Sequence, residues 1–139
     1  MTRHEERELI FTLLYEYTFY EGTNPDVYIT SREKMNETVY SDFVKSSFSG
    51  VCAAVTEIDG NISKYAVGWK VSRMSRVTRS ILRLAVYELI YTDTPPKAVI
   101  NEAVELSKEY DEEKASSFIN GILNKFARAE GKIADESNE

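Results

Sequence analysis

The sequence holds one cysteine, one histidine, three prolines and six glycines in 139 residues, and each scarcity removes a class of explanation. Cys52 alone cannot close an internal disulfide, and in the run Val51-Cys52-Ala53-Ala54-Val55 the ordinary reading is a small buried hydrophobe. His4 and Cys52 supply too few nitrogen and sulfur ligands for a zinc site, and neither CxxC nor HExxH spacing occurs. No metal or other cofactor is therefore expected. GxGxxG, GxxxxGK[ST] and GxSxG are also missing, so the chain is not expected to be an enzyme. No stretch approaches the roughly 18 apolar residues of a membrane span, and the charged segment from Met1 to Glu8 has no apolar signal region behind it. The expectation is a cytoplasmic protein without a membrane partner.

What is present suits one domain. Lys plus Arg number 17 against 23 Asp plus Glu, for a net charge of -6, and 42% of residues are apolar. Apolar residues recur at spacings of three and four, the helical period, and no segment alternates with period two, so the fold is expected to be all-α. Leu9, Ile10, Leu13, Leu14 and Tyr17 form one face of a helix expected from His4 to Glu21. Pro25 and Pro95-Pro96 read as breaks, and a short second helix is expected after Thr30 or Ser31. Val44, Phe48, Val51, Val55, Ile58, Ile62 and Tyr65 predict one long middle helix, in which Gly50 and Gly60 permit a close crossing or a bend. Further helices are expected from Ser75 to Thr92, from Lys97 to Tyr110, and onward from an Asp111 N-cap. Asn120-Gly121 suggests a close helix contact. Residues 1–131 read as the domain, and 132–139 as an acidic, disordered tail.

Charge is unevenly placed. Lys64, Lys70, Arg73, Arg76, Arg79 and Arg83 lie between Asp59 and Glu88 with no acidic residue among them, leaving -12 on the rest of the chain. At 100° per residue Arg76, Arg79 and Arg83 fall within roughly a 60° sector. Such a stripe reads as a phosphate-contacting surface, or as a set of intramolecular pairs with the surplus carboxylates. Glu88 falls on the face of its helix that should be buried, so it needs a partner, and Arg7 is the candidate. Ser116, Ser117 and Phe118 stand at the start of the last helix, where free N–H groups favour anions. Spacing with Ile122 favours the simpler reading of Phe118 as a core residue. The carboxylates of Glu5, Glu6 and Glu8 and of Asp111, Glu112 and Glu113 read as N-terminal helix charges.

Four blocks carry a resemblance. Trp69, then Ile81-Leu82-Arg83-Leu84-Ala85-Val86-Tyr87-Glu88-Leu89, then Pro95 to Lys108 (PPKAVINEAVELSK), then Phe118-Ile119-Asn120-Gly121-Ile122-Leu123 resemble, in order and spacing, the NusB family of transcription antitermination factors. The resemblance implies a bundle of two three-helix subdomains, about six to seven helices in all, with no enzymatic activity. It implies binding to boxA RNA of nascent ribosomal transcripts, together with the small-subunit ribosomal protein NusE, in the RNA polymerase elongation complex with other Nus factors. The family's arginine-rich N-terminal RNA motif falls on Arg3, His4, Glu5, Glu6 and Arg7, where two glutamates have removed charge. Its later RNA contacts fall on Tyr15, Lys114, Ser116, Ser117 and Phe118, which turns the reading of Phe118 from core to RNA. Arg76 and Arg79 adjoin the RNA surface, and Arg79 and Arg83 the partner surface. The alternative is a helical protein-interaction module or homodimer with weakened RNA binding.

Overall fold

A computed structural model describes residues 1–20 and 22–134. Among them are seven α-helices, one short 3-10 turn and no strand: α1 (Arg3–Tyr17), α2 (Pro25–Met35), α3 (Asp42–Ala53), α4 (Val55–Tyr65), α5 (Arg76–Tyr91), α6 (Pro96–Tyr110) and α7 (Ala115–Ala129), with the 3-10 turn at Val71–Arg73. The all-α expectation and the helix count hold. No described helix is long and apolar enough to cross a membrane.

Helix α5 is the hub. It packs against α1, α3, α4, α6 and α7. That role explains its composition, because Ile81, Leu82, Leu84, Ala85, Val86 and Leu89 are all buried and only a helix enclosed by neighbours needs apolar residues on so many faces. α1, α2 and α3 gather around Tyr17, Tyr28 and Phe48, whose ring centroids lie 5.1 to 5.7 Å apart. The Arg7–Glu88 pair forms as expected, Arg7 Nε donating to both carboxylate oxygens at 3.0 and 3.2 Å.

Several boundaries differ from expectation. α1 ends at Tyr17 rather than Glu21. α2 begins at Pro25, not after Thr30, because the Asn24 side chain accepts from the N–H groups of Asp26 and Val27 and proline lacks only a donor that the first turn would leave orphaned. The single middle helix is two. Ala54 leaves helical geometry at φ -104°, ψ 14°, so that α3 follows α1 while α4 turns onto α5 and α7. Asp111 caps the end of α6 instead of the start of α7, its N–H donating to Ser107 O at 2.9 Å.

Of the glycines, Gly50 does lie at a close crossing: a Cβ there would stand 2.5 Å from the Tyr87 ring. Gly60 and Gly121 face open space, so the close contact expected at Asn120-Gly121 is not formed. Lys132 and Ile133 are not tail, since both N–H groups donate to Ala127 O and close α7 beyond Gly131. The acidic segment Asp135 to Glu139 lies outside the described residues.

Candidate nucleic-acid interface

The N-terminal segment is tied down by its own neighbours. Thr2 and Glu5 form a reciprocal capping box, so Glu5 serves the helix start, and the bonds from Thr2 hold its carboxyl below the usual range. Arg3 stacks 3.7 Å from the Phe43 ring centre and pairs with Glu6 at 3.3 Å. His4 Nδ1 lies 2.8 Å from a Glu102 oxygen and Nε2 lies 3.2 Å from Glu8, an arrangement that raises the imidazole pKa, chiefly through the Glu102 hydrogen bond. Arg7 is only 7% exposed and Glu88 2%; burial pushes the Glu88 carboxyl up while Arg7 pulls it back. Expected as an RNA contact, Arg7 is instead enclosed, because the buried Glu88 charge requires it.

Farther along α1, Phe11 and Tyr15 share one face four residues apart, and Phe19 follows in the turn after the helix. Tyr110 of α6 extends the row, 5.0 Å from Phe11, and Tyr15 meets Phe19 edge-to-face at 5.5 Å. Phe19 is 56% exposed. Arg76, at the first turn of α5, closes over it with its guanidinium 4.2 Å from the ring centre and Nη1 donating to Thr18 O at 2.9 Å. That carbonyl is one of the acceptors a helix end leaves open. Arg76 is thus both anchored and exposed.

The rest of the arginine stripe turns elsewhere. Arg83 is held bidentate by Asp59 at 2.7 and 2.8 Å, an intramolecular pair. Arg79 is half-buried and, with Arg83, Cys52 and Tyr17, lines a cleft of about 280 Å³ between α1, the α3–α4 junction and α5. Cys52 behaves there as a packed hydrophobe, its thiol pushed up to about 12 by burial.

On the other flank of the same α5 turn lies a groove of about 350 Å³ walled by Trp69 and Phe118, whose rings meet edge-to-face at 5.9 Å. Arg73 and Lys114 border it. Its polar wall is the chain Ser75–Thr78–Asp111, with Ser75 Oγ donating to Thr78 Oγ1 at 3.0 Å and Thr78 Oγ1 to Asp111 at 2.5 Å. Ser116 bonds Ser107 at 2.6 Å and locks the start of α7 onto α6, leaving Ser117 and Lys114 exposed.

Among the sequence-derived residues, then, Tyr15 and Arg76 share one surface and Lys114, Ser117 and Phe118 an adjoining one, joined across Ser75 to Thr78. Arg3, His4 and Arg7 lie apart at the far end of α1. Sequence reasoning missed Phe19, Tyr110 and the Ser75–Thr78–Asp111 wall. The interval of four from Tyr15 was the available sign of Phe19; nothing local marked the other two.

The family model for the NusB family matches residues 4–128. The chain is 39% identical over 138 residues to the transcription antitermination protein NusB of Acetivibrio thermocellus, covering 97% of this chain and 94% of that one. It is 37% identical over 131 residues to the NusB of Nitratiruptor sp., covering 91% and 92%. Among solved structures it is similar to T. maritima NusB, with a TM-score of 0.80, 29% identity and coverage of 95% and 96%. It is also similar to a chain in a structure of antitermination factors NusB and NusE in complex with dsRNA, with a TM-score of 0.77, 30% identity and coverage of 93% and 99%.

Proposed function

Because the chain belongs to the NusB family, we propose that it is a transcription antitermination factor. In this reading it binds boxA RNA of nascent ribosomal transcripts together with the ribosomal protein NusE, and joins the RNA polymerase elongation complex in the cytoplasm. The observation that carries the reading is the clustering of an anchored, exposed arginine and half-exposed aromatic rings around the first turns of α5 and α7 in a chain whose net charge is -6. Arginine forks set register on phosphates, and aromatic faces take unstacked bases of single-stranded RNA.

Roles follow from exposure. Arg76 and Lys114 contact phosphates, Phe118 and Tyr15 stack bases, Ser117 donates to the backbone, and Ser116 positions the α7 turn. Arg79 borders both RNA and partner, and Arg83, held by Asp59, shapes the partner surface. Arg3 and His4 extend the RNA track along α1, and Arg7 supports it from beneath. No catalytic step and no cofactor enter. RNA and partner each tighten the other by the same factor, as linkage requires.

The test is fluorescence anisotropy of labelled boxA RNA and a scrambled control, with and without the cognate NusE protein, at two salt concentrations. Partner-dependent preference for boxA is expected. If neither RNA binds while NusE still does, the chain is a protein-interaction module and the RNA reading is wrong.

A further inference from the structure

Trp69 is the only tryptophan of the chain and stands 57% exposed. A large apolar ring left in water is costly unless something covers it. Its position is nonetheless well defined. The turn after α4 is closed by Trp69 N–H donating to Ala66 O at 3.0 Å, and Gly68 takes φ +81°, a left-handed conformation that a side chain would strain. The turn sets the indole edge-to-face with Phe118 at 5.9 Å and 68°. Both rings line one groove, and the indole N–H has no hydrogen-bond partner among the described residues.

The groove has the size of a small ligand site, about 350 Å³. Four charged side chains line it: Arg73, Lys114 and Glu112 are exposed, and Asp111 is half-buried and bonded to Thr78. The two carboxylates disfavour a phosphate seated in the groove itself, and the two exposed cations attract one beside it. A flat neutral group joined to an anionic backbone satisfies both conditions, and that is a nucleobase of single-stranded RNA.

We propose that the exposed indole of Trp69, held against Phe118, is a stacking platform for one unstacked RNA base, with Arg73 and Lys114 holding the flanking phosphates. The inference rests on the RNA-binding reading above and adds Trp69 and Arg73 to it.

The lone tryptophan is its own reporter. Emission from Trp69 is followed while boxA RNA is added to the full chain with NusE present and its own emission subtracted, and anisotropy of labelled RNA is recorded in parallel. Saturating RNA is expected to quench the emission. Trp69→Ala should weaken RNA binding roughly 5- to 150-fold, the span seen when a base loses its aromatic platform, and Trp69→Phe should restore most of it. Because the side chain is exposed, both variants should keep the helical circular dichroism of the unsubstituted chain. RNA binding within twofold by folded Trp69→Ala, or RNA bound with Trp69 emission unchanged, overturns the stacking platform and leaves the RNA reading standing. No anisotropy rise with any RNA overturns both.

Discussion

Arg7 on α1 and Glu88 on α5 form a buried ion pair that pins the first helix to the hub of the fold, with Nε 3.0 and 3.2 Å from the two carboxylate oxygens. Removing one partner of such a pair strands a charge away from water, so Arg7→Ala should cost about 3–5 kcal/mol in urea unfolding, whereas Arg7→Met with Glu88→Leu should lie near the unsubstituted chain. Burial raises the Glu88 pKa and Arg7 opposes it. Without Arg7 the folded-state value rises further above the unfolded one, so the variant keeps its stability at low pH and loses it as pH rises through that value. The deficit should therefore shrink on acidification. If Arg7 acts on RNA only through the fold, the double variant should bind boxA RNA normally; weakened binding at full stability would make Arg7 a direct contact.

Gly50 and Gly60 should respond to alanine with opposite signs. At Gly50 the new methyl would meet the Tyr87 ring at 2.5 Å, and overpacking of that kind costs about 1–3 kcal/mol, more than the gain of up to about 1 kcal/mol in helix propensity. Gly60 meets nothing within 4 Å, so only the propensity gain remains. Gly50→Ala should lower the melting temperature and Gly60→Ala raise it. Equal shifts in thermal scans would mean that Tyr87 swings aside freely.

These contrasts show what sequence can carry. Glu88 betrayed its partner because a carboxylate on an apolar helix face demands a cation, a rule that works at any distance along the chain. The α3–α4 break left no mark, because Ala54 is neither glycine nor proline and the apolar spacing runs through it unbroken. Arg76, Arg79 and Arg83 share a helix face, yet Thr18 and Asp59, remote in sequence, set them different tasks. Trp69 lies in a turn where periodicity says nothing, and its place beside Phe118 follows from the packing of α7.

Arg76 and Arg83 should separate cleanly in RNA binding. Arg76 is exposed and anchored beside the aromatic row, so Arg76→Ala should weaken boxA and scrambled RNA alike and flatten the salt slope by about one counterion. Arg83 is already neutralised by Asp59, so Arg83→Ala should leave the slope unchanged and reduce thermal stability instead. Titrations at several salt concentrations decide it. An unchanged slope for Arg76→Ala would make its contacts with Thr18 and Phe19 purely structural.

Phe118 should act on selectivity more than on electrostatics. It is half-buried, with one edge-to-face neighbour in Trp69, and carries no charge, so Phe118→Ala should narrow the preference for boxA over scrambled RNA while sparing the salt slope. Circular dichroism must show the helices intact. An equal loss on both RNAs would trace the effect to packing at the start of α7.

His4 should titrate above its ordinary value of 6.5. Glu102 accepts from Nδ1 at 2.8 Å and Glu8 faces Nε2 at 3.2 Å, so both nitrogens meet carboxylates and the doubly protonated ring is favoured. A folded-state pKa above the unfolded one means that the contribution to stability is complete below about pH 6.5 and is lost as pH rises through the folded value. As the only histidine, its ring protons can be followed by NMR without assignment ambiguity. The midpoint should lie above 6.5 and fall toward it as salt screens the partly exposed site. His4→Gln should destabilise the chain on the acid side of that midpoint and much less on the alkaline side. A midpoint at or below 6.5 would mean that the clasp between α1 and α6 does not hold a charged imidazole.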